Sequence, residues 1–270
     1  MEDIDYSRRR FCSLSVKAVA AVVAAPILIS PRYSFSQEEL DNYQPTIYTR
    51  DDWGACEPLP DIDRIEYDSM DKLSYLVLHH TGQIKGIGTN PPVWTIQDSQ
   101  MNSGKHSDIA YTTVFAKDGQ IYEGRPWNVM GSALCPSKES KADKRRNGNL
   151  INGNTSLNYG VLNFCLIGDF TFEQPTDRQV KSLLFYIKLK MPEFSNISCR
   201  NIFGHKDYNM IAERRGLTPT RKCQTLCPGD INDVIDLCSE EIFKLRFRDG
   251  KSLEEIREEY RLRANNPLSF

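Results

Sequence analysis

Residues 75–80 read Tyr75-Leu76-Val77-Leu78-His79-His80, a short β-prone apolar run that ends on two histidines. Bounded by polar residues, the run reads as a strand and puts His79 and His80 at its C-terminal end. Two further stretches repeat the theme. Val161 to Ile167 reads as the continuous apolar run of a central strand, and Ile202-Phe203 is a short strand closing at His205. Ala110 to Ala116 and Gln120 to Glu123 flank Lys117-Asp118-Gly119, a hairpin signal.

Between these strands lie helical patterns. Pro91-Pro92 opens a helix through Met101. After Pro175, Thr176 and Gln179 form a capping box, and Val180, Leu183, Leu184 and Ile187 follow at i, i+3, i+4 and i+7. A last core helix is predicted to start with Pro228 in its first turn, with Val234, Ile235, Cys238 and Ile242 facing inward. Strands interleaved with three helices predict an α/β layer architecture. Two segments read as insertions, the polar Ser137–Thr155 and the Arg-containing Tyr208–Lys222. Both suit solvated loops, or the walls of a cleft for an anionic ligand. The tail beyond residue 240 carries a second capping box, Ser252 to Glu255, and reads as a C-terminal helical extension without chemistry.

The whole chain has 270 residues, 34 basic and 36 acidic side chains, and 40% hydrophobic residues. That balance excludes a disordered tail protein and a basic nucleic-acid binder. The first 36 residues read as an export address. Ser7-Arg8-Arg9-Arg10-Phe11 heads a modest apolar stretch, Ala18 to Ile29, and Ser34 and Ser36 stand at −3 and −1 of a cut before Gln37. The arrangement resembles a twin-arginine signal, so export from a bacterium to the periplasm or beyond is expected. The apolar stretch is too short to span and is preceded directly by Lys17, so no membrane span is expected in the mature chain. Residues 37–240 then form one domain and 241–270 the extension, and a monomer is expected. Cys12 leaves with the signal, and seven of the eight cysteines remain. An oxidising compartment permits disulfides, and an odd count leaves at least one thiol for another task.

The four histidines are informative by their placement. His79 and His205 each close a short strand, and Cys227 precedes Pro228-Gly229-Asp230. Two imidazoles and a thiolate are an accepted three-ligand zinc set that leaves a fourth position for water. Spacing alone also allows buried structural residues, or a disulfide across Cys223 and Cys227.

Several blocks carry a resemblance. Tyr48-Thr49-Arg50-Asp51-Asp52-Trp53-Gly54-Ala55, Leu76-Val77-Leu78-His79-His80-Thr81, Asp108-Ile109-Ala110-Tyr111 through Arg125-Pro126-Trp127-Asn128-Val129, Phe164-Cys165-Leu166-Ile167-Gly168-Asp169-Phe170, Gly204-His205-Lys206-Asp207 and Thr225-Leu226-Cys227-Pro228-Gly229-Asp230 occur in order. Together they resemble the peptidoglycan recognition protein and type 2 N-acetylmuramoyl-L-alanine amidase family over residues 47–240. The resemblance implies a central mixed β-sheet flanked by about three helices. It implies Zn²⁺ held by His79, His205 and Cys227, with Tyr111 and Thr225 as catalytic residues. It places His80, Arg125, Trp127 and Asn128 at the substrate groove, with His80 also supporting the strand. The implied reaction is hydrolysis of the amide joining the lactyl group of muramic acid to the L-alanine of the stem peptide. The partner is peptidoglycan or its muropeptides, not nucleic acid. The alternative is a muropeptide-binding protein that does not cut. Retention of Cys227 favours the enzyme. Gly131-Ser132-Ala133-Leu134 lacks the family's usual histidine, Gln100 stands for a helix histidine and His106 for a tryptophan, departures that alter the groove.

Overall fold

The computed structural model describes residues 32–59, 65–84, 87–102, 106–139, 156–220 and 225–247, leaving out the side chains of 243, 246 and 247. The capping box Ser252–Glu255, Cys223 and residues 1–31 lie outside them. The strands are β1 (Ile47–Tyr48), β2 (Tyr75–His80), β3 (Thr113–Phe115), β4 (Ile121–Glu123), β5 (Val161–Leu166) and β6 (Ile202–Gly204). They form one six-stranded sheet in the order β1-β4-β3-β5-β2-β6. Only β3 and β4 run antiparallel, joined by the expected hairpin, in which Gly119 donates its N–H to Ala116 O at 2.9 Å. The remaining pairs are parallel, so the sheet is mixed, as expected.

The described helices are α1 (Gln37–Asp41), α2 (Val93–Asn102), α3 (Asp177–Lys190), α4 (Tyr208–Arg214) and α5 (Asn232–Phe247). The three long ones are those read from the sequence; α1 and α4 add to the expected three. The capping box of α3 forms, with Thr176 Oγ1 accepting from Gln179 N–H at 3.1 Å. Gln179 also donates through Nε2 to Phe115 O (3.1 Å) and Ile167 O (2.8 Å), which clips the helix start to the ends of β3 and β5.

Alternation along the strands assigns two faces. Leu76, Leu78, Phe115, Ile121, Leu162, Phe164, Leu166 and Ile202 join Val180, Leu183, Leu184 and Ile187 of α3 and Val234, Cys238 and Ile242 of α5 in one apolar core. Each large side chain buried there contributes about 1.5–3 kcal/mol. The opposite face holds two smaller clusters. Val77, Val161 and Phe203 pack with Tyr208, Ile211 and Ala212 of α4. Val114, Cys165 and Ile167 pack with Val93 and Ile96 of α2. Between these clusters the strands carry polar residues.

Two expectations need correction. α5 begins at Asn232, not at Pro228. Gly229 has φ +79°, a left-handed conformation that cannot continue a helix, and a Cβ there would strike the backbone of Phe170. The segment Tyr208–Lys222 does not begin as a solvated loop. Tyr208, Ile211 and Ala212 recur at i, i+3 and i+4 and are fully buried, so the stretch to Arg214 is a packed helix. The compact unit starts at Arg32, and α5 runs unbroken across residue 240 with Ile242 and Leu245 in the core. The 137–155 segment is described only to Glu139. There Lys138 N–H meets Thr218 O at 2.7 Å, which ties the bases of the two insertions together. Among the described residues, no helix is long and apolar enough to cross a membrane.

Candidate metal centre

The polar gap on the second face is filled from two strand ends and the loop before α5. His79 ends the buried part of β2 and is only 1% exposed. His205 starts a 3-10 turn directly after β6. Cys227 arrives on the loop before α5, and its turn is fastened to that of His205, with Lys206 N–H donating to Cys227 O at 2.7 Å. Lys206 Nζ donates to Gly229 O at 3.0 Å, a second tie between the same turns. One ligand atom from each of His79, His205 and Cys227 lies within 4.8 Å of the others.

The donor set suits a zinc ion. Cys227 Sγ stands 3.9 Å from His79 Nδ1, and the two imidazole centroids are 4.8 Å apart. Tetrahedral coordination at about 2.0–2.3 Å spaces ligand atoms by roughly 3.3–3.8 Å, so the cluster is nearly closed to that size. Burial, and then the neighbouring His205, holds the His79 imidazole well below its ordinary pKa, and a hydrogen bond with Asn163 partly opposes them. His79 is therefore neutral, the form that ligates metal. The backbone N–H of His80 donates to Cys227 Sγ at 3.3 Å, a bond that favours the thiolate.

Tyr111 stands beside this cluster, its ring centroid 5.3 Å from that of His79. Burial pushes its phenol well above the usual range, and the Cys165 and Cys227 sulfurs add to the rise. A hydrogen bond with Gln100 works in the other direction. The phenol keeps its proton and can act as a donor. Gln100 Oε1 also accepts Ala110 N–H at 2.8 Å, so the helix residue at this departure from the usual pattern braces the segment before β3 that carries Tyr111.

The sequence profile of the N-acetylmuramoyl-L-alanine amidase family (Amidase_2) matches residues 69–230, which contain every one of these groups. The chain belongs to that family. It is 35% identical over 91 residues to peptidoglycan-recognition protein SC2 of Drosophila simulans, covering 32% of this chain and 46% of that protein. Peptidoglycan-recognition protein 2 of Holotrichia diomphalia is 31% identical over 91 residues, 33% of this chain and 46% of that one. The chain thus spans about half the length of these curated relatives. The N-acetylmuramoyl-L-alanine amidase LysC from Clostridium intestinale URNW superposes with a TM-score of 0.48 at 22% identity, covering 72% of this chain and 97% of that one.

The remaining site residues of this amidase-family chain divide by location. Thr225 Oγ1 accepts Cys227 N–H at 3.1 Å, which shapes the turn presenting the thiol. His80 points to the other face of β2, where its Nδ1 accepts Phe170 N–H at 3.0 Å and lies 3.8 Å from Asp169 Oδ1. It supports the site through its backbone. Arg125 is 3% exposed, and its guanidinium donates to Ile109 O, Met130 O and Asp108 O at 3.0, 2.8 and 3.2 Å. Those bonds pin the loop after β4. Trp127 is 37% exposed, with its ring edge-on to Phe194, a member of the core on the α3 and α5 face. Asn128 accepts Tyr67 N–H at 2.7 Å through its carbonyl oxygen. The structure thus brings His79, His205, Cys227, Tyr111 and Thr225 together, and anchors Arg125, Trp127 and Asn128 by other contacts. His106 Nδ1 meets Ser132 Oγ at 2.7 Å, so two further departures from the family pattern pair with each other.

One residue escaped the sequence reading. Asn163 sits in β5, fully buried, with Oδ1 2.9 Å from His79 Nε2. Its signal was available: a lone amide inside an apolar run read as Val161 to Ile167.

Proposed function

We propose that this chain is an exported, zinc-dependent N-acetylmuramoyl-L-alanine amidase that hydrolyses the amide between the muramic-acid lactyl group and the L-alanine of peptidoglycan stem peptides. The observation that carries the reading is the convergence of His79, His205 and Cys227 within 4.8 Å, from the ends of β2 and β6 and the loop before α5. The twin-arginine pattern of the first residues supports export.

His79, His205 and Cys227 would hold the zinc. The ion supplies Lewis acidity toward a carbonyl oxygen and lowers the pKa of a bound water toward ~7. Tyr111, protonated, donates a hydrogen bond to the substrate oxygen on which negative charge develops, a contact that strengthens toward the transition state. Thr225 uses its oxygen to accept the Cys227 N–H, and its own proton remains to serve as a second donor at the cleft. Lys206 couples the two ligand-bearing turns, which keeps the reacting geometry fixed.

Metal content and release of stem peptides from purified sacculi test this directly. Stoichiometric zinc together with new lactyl ends is the expected result. Zinc-free protein that still binds sacculi would replace the amidase reading with that of a non-cutting muropeptide binder. Tyr111→Phe should retain its zinc and lose turnover by about 10²–10³-fold, the usual effect of deleting one oxyanion donor. Undiminished turnover in that variant would remove Tyr111 from the reaction.

A further inference from the structure

We propose that Asn163 is the positioning residue of the metal centre: its side-chain oxygen takes the Nε2 proton of His79 and so reserves Nδ1 for the ion. The inference rests on the zinc reading above and deepens it.

The register places the two residues together. Val77 pairs with Asn163 and His79 with Cys165 across the β2–β5 ladder, so His79 and Asn163 project from the same face, one position apart along neighbouring strands. The separation of 2.9 Å between Asn163 Oδ1 and His79 Nε2 is a full hydrogen bond. The orientation of the amide follows from its other end, where Nδ2 faces Val161 O at 3.4 Å. A carbonyl faces the donor end, so the oxygen faces the imidazole. With Nε2 as the donor, the lone pair lies on Nδ1, the nitrogen nearer Cys227 Sγ.

The surroundings are arranged around this amide. Thr112 donates to Asn163 O through both its N–H (2.8 Å) and its hydroxyl (2.9 Å), fixing the backbone from which the side chain extends. Gly131 lies against Nδ2, and a Cβ at that position would collide with it. An amide in a central strand costs desolvation that valine would avoid. Here the bond to His79 offsets that cost, because each group satisfies the other where water is excluded. A neutral amide, rather than a carboxylate, orients the ligand without adding a second negative charge beside Cys227.

The test uses the full-length chain with Asn163→Ala, Asn163→Val and Asn163→Asp. Zinc affinity is measured by competition with a chelating dye, and thermal unfolding is followed on the metal-free proteins. Asn163→Ala should weaken zinc by about 10–100-fold, as loss of a partner to a ligating histidine does. Asn163→Val, suited to a central strand, should do the same, and it provides a folded variant if alanine leaves the strand poorly packed. Asn163→Asp retains an acceptor and should return affinity to within a few-fold of the wild type. A zinc-loaded wild type whose Asn163→Ala and Asn163→Val variants bind as tightly overturns this inference alone. So does an aspartate variant that folds but binds as weakly as alanine. A wild type that takes up no zinc overturns the amidase reading itself.

Discussion

On one face of the sheet Leu76, Leu78, Phe115, Leu162, Phe164 and Leu166 disappear beneath α3 and α5. On the other, residues one step along the same strands, His79 and Asn163, occupy the gap between two smaller apolar clusters, with Cys165 in one of the clusters. Burial does not separate the two sets: His79 is 1% exposed, and Asn163 and Cys165 are fully covered. What differs is how each face meets the requirements of burial. The first satisfies them with close apolar packing, whose energy is spread over many contacts. The second satisfies them with specific pairs, His79 with Asn163 and Cys227 with the His80 N–H, and each pair fails if either partner changes. The closed face should therefore carry stability and the open face chemistry.

The largest expected effect tests the open face alone. Cys227→Ser should lose its zinc outright, since hydroxyl is a poor substitute for thiolate in this donor set. The metal-free variant should melt within a few degrees of the metal-free wild type, because the core beneath α3 and α5 is untouched. Elemental analysis and thermal unfolding read the two quantities separately. Normal zinc content would overturn the ligand assignment, and collapse of the fold would show that the two faces are not separable.

Leu184→Ala makes the converse experiment. The side chain is 1% exposed in the core between α3 and the sheet. Its truncation should cost about 2–5 kcal/mol, lowering the melting temperature while the protein, still folded at room temperature, binds zinc normally. Zinc affinity that falls in step with stability would mean that α3 packing is transmitted through the sheet to His79.

The same contrast explains what the sequence disclosed. Short apolar runs and the 3.6-residue spacing of Val180, Leu183, Leu184 and Ile187 describe apolar burial, so the central strands and α3 were readable from pattern. The ligands were readable only as residue types, two at strand ends and one before a Pro-Gly-Asp turn, and resemblance to a family was needed to join positions spread from 79 to 227. Asn163 was passed over because an apolar-run criterion averages out a single polar residue. Pro228 was misplaced for a related reason: proline suits a first helical turn, yet the following Gly229, at φ +79°, is set by its contact with the Phe170 backbone, a tertiary fact that local pattern does not contain.

The smallest effect concerns the edge of the closed face, where α1 docks on α3. The sequence places a cut between Ser36 and Gln37, and the structure gives the residues just before it packed roles. Tyr33 is 6% exposed and donates its hydroxyl to Pro175 O at 2.8 Å. Phe35 lies under Lys181, whose Nζ is 4.9 Å from the ring centroid. Ser36 caps α1 in a reciprocal box with Glu39. A chain begun at Gln37 loses all three, and should be less stable than one begun at Arg32 by about 2–3 kcal/mol, from one buried ring and one helix cap. That corresponds to a fall of roughly 4–12 °C in melting temperature for a domain of this size, with zinc affinity unchanged. Equal melting temperatures would show that the segment rests on α3 without stabilising it. If the difference is found and the chain is exported as proposed, intact-mass measurement of the mature protein should give an N-terminus upstream of Tyr33, because cleavage at Ser36 would discard contacts on which the closed face relies.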